Sequence, residues 1–139
     1  MVTFGNKSSF CTCRVYLKRQ RGRKYFYAGC NYKGSVLAID LTSVNLWANV
    51  CQQVMGLTVL RRRLYSVHSS SNKVYIHETT KPFIRVGQPE ISGLKWPRGL
   101  AASQRHGCVF ITDWYKTFRG RLWRANENVT EVLHSICYF

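Results

Sequence analysis

The chain has 139 residues, with 21 Lys+Arg against 6 Asp+Glu for a formal net charge of +15, and is 45% hydrophobic and 14% aromatic. That length suits one domain, and the apolar content is enough to bury a core, which excludes disorder for the bulk of the chain. No apolar run approaches the ~20 residues that span a bilayer, and the leading MVTFGNKSSFCTC lacks the apolar stretch of a secretory signal.

In chain order, the first feature is basic. Residues 14–24 (RVYLKRQRGRK) carry six basic side chains, Lys18, Arg19 and Arg21 among them, and Arg61, Arg62 and Arg63 form a second cluster. These two clusters are the candidate polyanion contacts, because a strongly positive field attracts nucleic acid or anionic glycans whatever the fold. A solvated surface is the alternative reading. Helical periodicity is nearly absent from the rest. Short apolar or alternating runs fall at 24–30, 35–41, 46–51, 55–60, 63–68, 73–78 and 83–88, then at 99–103, 108–113, 120–125 and 129–133. Most are rich in Val, Ile, Leu, Phe and Tyr and bounded by turn formers, which predicts an all-β protein.

The runs repeat. Gly56-Leu57 returns as Gly99-Leu100, Leu64-Tyr65-Ser66-Val67 as Val109-Phe110-Ile111-Thr112, and Val74-Tyr75-Ile76 as Leu122-Trp123-Arg124. The offsets lie between roughly 38 and 48 residues, the period of four-stranded propeller blades. Three units result, about 8–50, 51–94 and 95–134. Residues 1–139 thus read as a single partial propeller domain of about three antiparallel blades. Residues 57–60 and 99–103 are the expected inner strands. The expected core is Leu57, Val59, Tyr65, Val67, Val74, Ile76, Leu100, Ala102, Val109, Ile111 and Leu122.

The third unit carries the clearest pattern: Pro97-Arg98-Gly99-Leu100-Ala101, then Val109-Phe110-Ile111-Thr112-Asp113, then Leu122-Trp123-Arg124-Ala125-Asn126. With these motifs the chain resembles the NHL-repeat and YWTD-type blades of six-bladed propellers, best over 51–133. The middle unit looks like the NHL-related propellers of invertebrates. The resemblance implies a fold and no single function, because such blades host signalling, RNA-binding, adhesion and lyase proteins. Six blades need roughly 250 residues, so the chain reads as a part or a truncated product of such a ring. Its end blades would then be open to self-association.

Chemistry is sparse. Cys11, Cys13, Cys30, Cys51, Cys108 and Cys137 form no Cys-x-x-Cys pair, and their even number allows disulfides. Packing as small apolar strand residues is the favoured reading over disulfides. His68 and His77 lie on adjacent predicted strands of one blade and could approach each other, yet so few carboxylates argue against a metal centre. No metal, no cofactor and no enzymatic activity are expected. The expected function is a binding scaffold for a protein, peptide or glycan. Its candidate contacts are Trp114, Tyr115, Lys116, Arg119 and Arg121, in the loop joining the second and third strands. RNA is the alternative ligand, since aromatics interleaved with Arg suit base stacking and phosphate contact. A native N-terminus would imply the cytoplasm, whereas a chain cut from a longer one leaves an extracellular setting open.

Overall fold

A computed structural model describes residues 2–4, 11–16, 26–30, 35–39, 44–49, 54–68, 71–79, 84–116 and 119–138, with side chains described over 54–68, 71–79, 84–114 and 120–135. The described residues form thirteen strands and no helix, and so no helix long and apolar enough to cross a membrane. The strands are β1 (Val2–Phe4), β2 (Cys11–Tyr16), β3 (Phe26–Cys30), β4 (Ser35–Ile39), β5 (Val44–Asn49), β6 (Val54–Leu60) and β7 (Arg63–His68). They continue as β8 (Val74–Glu78), β9 (Arg85–Gly87), β10 (Pro97–Ser103), β11 (Cys108–Lys116), β12 (Arg119–Asn126) and β13 (Val132–Tyr138).

Each strand pairs antiparallel with the next, in three meanders: β1 to β5, β6 to β9 and β10 to β13. The first sheet has five strands where four were expected, because β1 pairs with β2 ahead of the first predicted strand. The last strand starts at Val132 rather than near Val129. Asn126 explains the delay: its side-chain oxygen accepts from the backbone N–H of Thr130 and Glu131. The turn so formed holds Val129 at φ 57, off the extended conformation.

Burial shows how the sheets stack. All seven residues of β6 are buried, with no alternation, as in a strand covered on both faces. One face of the second sheet presents Tyr65, Val67, Val74 and Ile76 to Leu100, Val109, Ile111, Trp123 and Ala125 of the third. On the other side, β2 and β3 lie against β6. The first strands of the second and third sheets nearly touch: a Cβ on Gly56 would sit 2.9 Å from the Leu100 nitrogen. Only a residue without a side chain permits that approach, and it sets β6 and β10 side by side as the expected inner strands.

The third sheet alternates instead. Val109, Ile111, Trp123 and Ala125 are buried, whereas Leu122 is 38% exposed and Leu133 73% exposed. Leu122 was expected in the core; the register pairs it with outward Thr112 and pairs Trp123 with Ile111. Ala102, also expected in the core, is partly buried against it.

Candidate functional site

The site is built around one buried ion pair. Asp113 on β11 stands opposite Arg121 on β12. The Arg121 Nε donates to Asp113 Oδ1 at 3.1 Å and its Nη2 to Oδ2 at 2.6 Å. Asp113 is 4% exposed and Arg121 8%. Such a pair survives burial only when its remaining lone pairs and protons find partners, and both do. Arg121 Nη2 also donates to the Gly93 carbonyl, and the Lys95 N–H donates to Asp113 Oδ2 at 2.8 Å. The guanidinium lies over the Trp123 ring, 4.8 Å from its centroid.

These bonds fasten the segment that leads into β10. Gly93 takes φ 86 in a turn closed by Leu94 N–H to Ile91 O, a conformation type II turns reserve for glycine. Lys95 is held twice, through Asp113 at its N–H and through the Trp114 N–H at its carbonyl. The next residue, Trp96, adopts φ 48, rare for a bulky side chain and stable only where the surroundings enforce it. Trp96 is 55% exposed and Trp114 51% exposed. The Arg98 guanidinium sits 5.3 Å from the centre of the Trp114 ring. Two tryptophans and two cations, Lys95 and Arg98, therefore stand on a fixed rim with no described carboxylate among them but the paired Asp113.

The predicted contact residues separate. Trp114 belongs to this rim, and Arg121 is an internal brace rather than an exposed contact. Tyr115, Lys116 and Arg119 lie on β11 and β12, but their side chains are outside the described residues, as are Lys18, Arg19 and Arg21 altogether. Trp96 and Arg98 are not among the contacts expected from the sequence. The pairing of Pro97 with Asp113 is what carries them to Trp114, and the repeat alignment of first and second strands held that signal.

The Arg61–Arg63 cluster also has partners within the fold. It forms the hairpin between β6 and β7, where Arg61 takes φ 55 at a position that favours glycine. Gln104 holds it, accepting from the Arg61 N–H at 2.8 Å and donating to the Val59 carbonyl at 2.7 Å. Arg61 pairs with Glu127, Arg63 Nη1 donates to Asn128 Oδ1, and the Tyr65 hydroxyl donates to the Glu127 carbonyl. Burial, with the Glu127 carboxylate close by, pushes the Tyr65 hydroxyl up to about 12, so it remains a donor. Two of the three arginines thus latch the second sheet to the third.

His68 and His77 do not meet. Leu64 stands opposite His77 and Val67 opposite Val74, which leaves the histidines about four pairing steps apart, roughly 13 Å at the usual strand rise. His68 Nε2 lies 3.1 Å from Ser66 Oγ, and both residues are fully buried.

No family model matches the chain, and no curated protein matches it. Among solved structures, it is similar to a chain in the crystal structure of a nidogen/laminin complex. The TM-score is 0.66 at 15% identity, over 81% of this chain and 44% of the other. The chain therefore spans less than half the length of the one it matches. The likeness and the strand order show an all-β, β-propeller-like fold, without singling out the NHL pattern.

Proposed function

We propose that the chain is a non-catalytic β-propeller segment that binds a protein or peptide through the rim of Trp96, Arg98 and Trp114. The observation that carries this reading is the brace beneath the rim. Asp113, Arg121 and the Lys95 backbone hold two exposed tryptophans in place, one of them at a strained φ. Tryptophan and arginine dominate binding hot spots, and a rigid platform loses little entropy on engagement. The positive rim suits a ligand with acidic and aromatic residues. The similar chain comes from a protein–protein complex, which supports protein over nucleic acid as ligand. Ser66 with His68, a nucleophile beside a base, is fully buried, beyond a substrate's reach. Ser103 with His106 is a turn contact, where Ser103 Oγ also accepts from the His106 backbone N–H.

In the same reading, the blades are of the six-bladed NHL or YWTD type, and a second copy of the chain covers the open face of the third sheet. The test of the rim is selection of peptides from a displayed random library on the immobilised chain. Acidic, aromatic peptides should be enriched, and Trp114→Ala should weaken them roughly thirtyfold, the scale of a hot-spot truncation. The urea midpoint of that variant should match the parent's. Peptides that bind the variant equally well, or poly(U) bound more tightly at moderate salt than any peptide, would overturn the proposal.

A further inference from the structure

The sequence alone favours a packing role for the cysteines; the register of the first sheet places two of them together. β2 and β3 pair with Cys13 directly opposite Cys30. Cys13 also stands opposite Val2 of β1, and Cys30 opposite Ser35 of β4, so the two lie on interior strands of the sheet. Residues directly opposite in an antiparallel ladder have Cα atoms about 4.5 or 5.5 Å apart, depending on the hydrogen-bonding class of the site. Disulfides span Cα separations of roughly 4.4–6.8 Å, so either class falls within reach. Cys11 is two residues from Cys13 on the same strand and stands opposite Phe4 of β1. Its position relative to Cys30 is diagonal, where separations reach about 7–8 Å, beyond that range. Cys108 is a buried free thiol of the third sheet, paired in register with Ser103 and Asn126.

We propose that Cys13 and Cys30 are a redox-active thiol pair, oxidised to a cross-strand disulfide by a small disulfide of the glutathione class. One cysteine loses its proton to solvent, and its thiolate attacks a sulfur of glutathione disulfide. The S–S bond of the oxidant breaks, one glutathione thiolate leaves, and a mixed disulfide forms. The second cysteine thiolate then attacks the protein sulfur of that mixed disulfide and expels the second glutathione. Two cysteine thiols and one glutathione disulfide become one protein disulfide and two glutathione thiols. The new bond ties β2 to β3 in one register and closes the chain between them, which removes freedom from the unfolded state.

The full chain is incubated with reduced or with oxidised glutathione, denatured, alkylated and mapped by mass spectrometry. After oxidation, the peptides bearing Cys13 and Cys30 should appear crosslinked while Cys108 remains alkylated. The oxidised chain should also have the higher urea midpoint. Cys30→Ser and Cys13→Ser should each abolish the crosslink. Should a variant fail to fold, fragmentation of the wild-type crosslinked peptide still decides between Cys11 and Cys13. Complete alkylation of both cysteines after oxidation, a bond from Cys11, or an unchanged urea midpoint would overturn the proposal.

Discussion

His77 shows what a buried ionisable side chain does to stability. It lies on β8 between Leu64 and Arg85, 4% exposed, and its Nδ1 has no hydrogen-bond partner among the described residues. Burial, assisted by the Arg85 charge, lowers its pKa from 6.5 to about 4. Between those values the unfolded chain takes up a proton that the folded chain refuses. Stability is therefore complete above the unfolded pKa and declines as pH falls from about 6.5 towards 4. A tenfold difference in proton affinity between the two states corresponds to about 1.4 kcal/mol, so the loss reaches at most roughly 3 kcal/mol. Urea titrations of the parent should show midpoints falling across this window, and His77→Leu should flatten the decline. An equal decline in both would place the pH dependence elsewhere. Arg121 teaches a related lesson about reading residues from sequence. An arginine in a basic chain reads as surface, and only the partner eight positions earlier, Asp113, places it inside.

At the scale of strands, much was legible and the failures were local. The repeated order of apolar runs anticipated β6 to β8 and β10 to β12 closely, because a half-buried strand must alternate and a doubly covered one must be apolar throughout. Within Gly120-Arg121-Leu122-Trp123, however, two adjacent apolar residues compete for one inward position, and a slip of one residue reverses every side chain. The pairing of Trp123 with Ile111 settles it. Ile111→Ala should then cost roughly 2–5 kcal/mol, whereas Leu122→Ala should stay within about 0.5 kcal/mol. Equal losses in urea would mean that the register is wrong. The bonds of the Arg61–Arg63 hairpin are not legible locally, because its partners Gln104, Glu127 and Asn128 lie far along the chain. Its exposed ion pair with Glu127 should contribute little, about 0.2–1 kcal/mol in a double-mutant cycle. Gln104→Ala breaks two backbone hydrogen bonds around a strained residue and should cost more, about 1–2 kcal/mol. A larger loss for Glu127→Ala than for Gln104→Ala would reverse that ranking.

For the molecule as a whole, the deciding contrast is between the two faces of the third sheet. One face is sealed against the second sheet by Leu100, Val109, Ile111 and Trp123. The other carries Leu122 and Leu133 in the open on β12 and β13, with Arg124 exposed beside them, outside the rim. Leu122 and Leu133 are diagonal neighbours on that face, and clustered exposed apolar side chains mark interaction surfaces, which is why a second copy is proposed to cover them. A formal net charge of +15 opposes that association by mutual repulsion, and salt shortens the reach of the repulsion to about 10 Å at 0.1 M and 3 Å at 1 M. Sedimentation of the purified chain should therefore show monomers at low salt and a growing dimer fraction as salt rises. Leu133→Glu places a carboxylate at the most exposed leucine among the described residues and should return the chain to monomers at high salt without moving its urea midpoint. RNA-type contacts would respond in the opposite sense, weakening with every increase in salt, so the direction of the salt effect separates the two kinds of assembly. A monomer at every salt concentration would remove the second copy from the reading, and would leave the rim of Trp96, Arg98 and Trp114 to be judged by peptide binding alone.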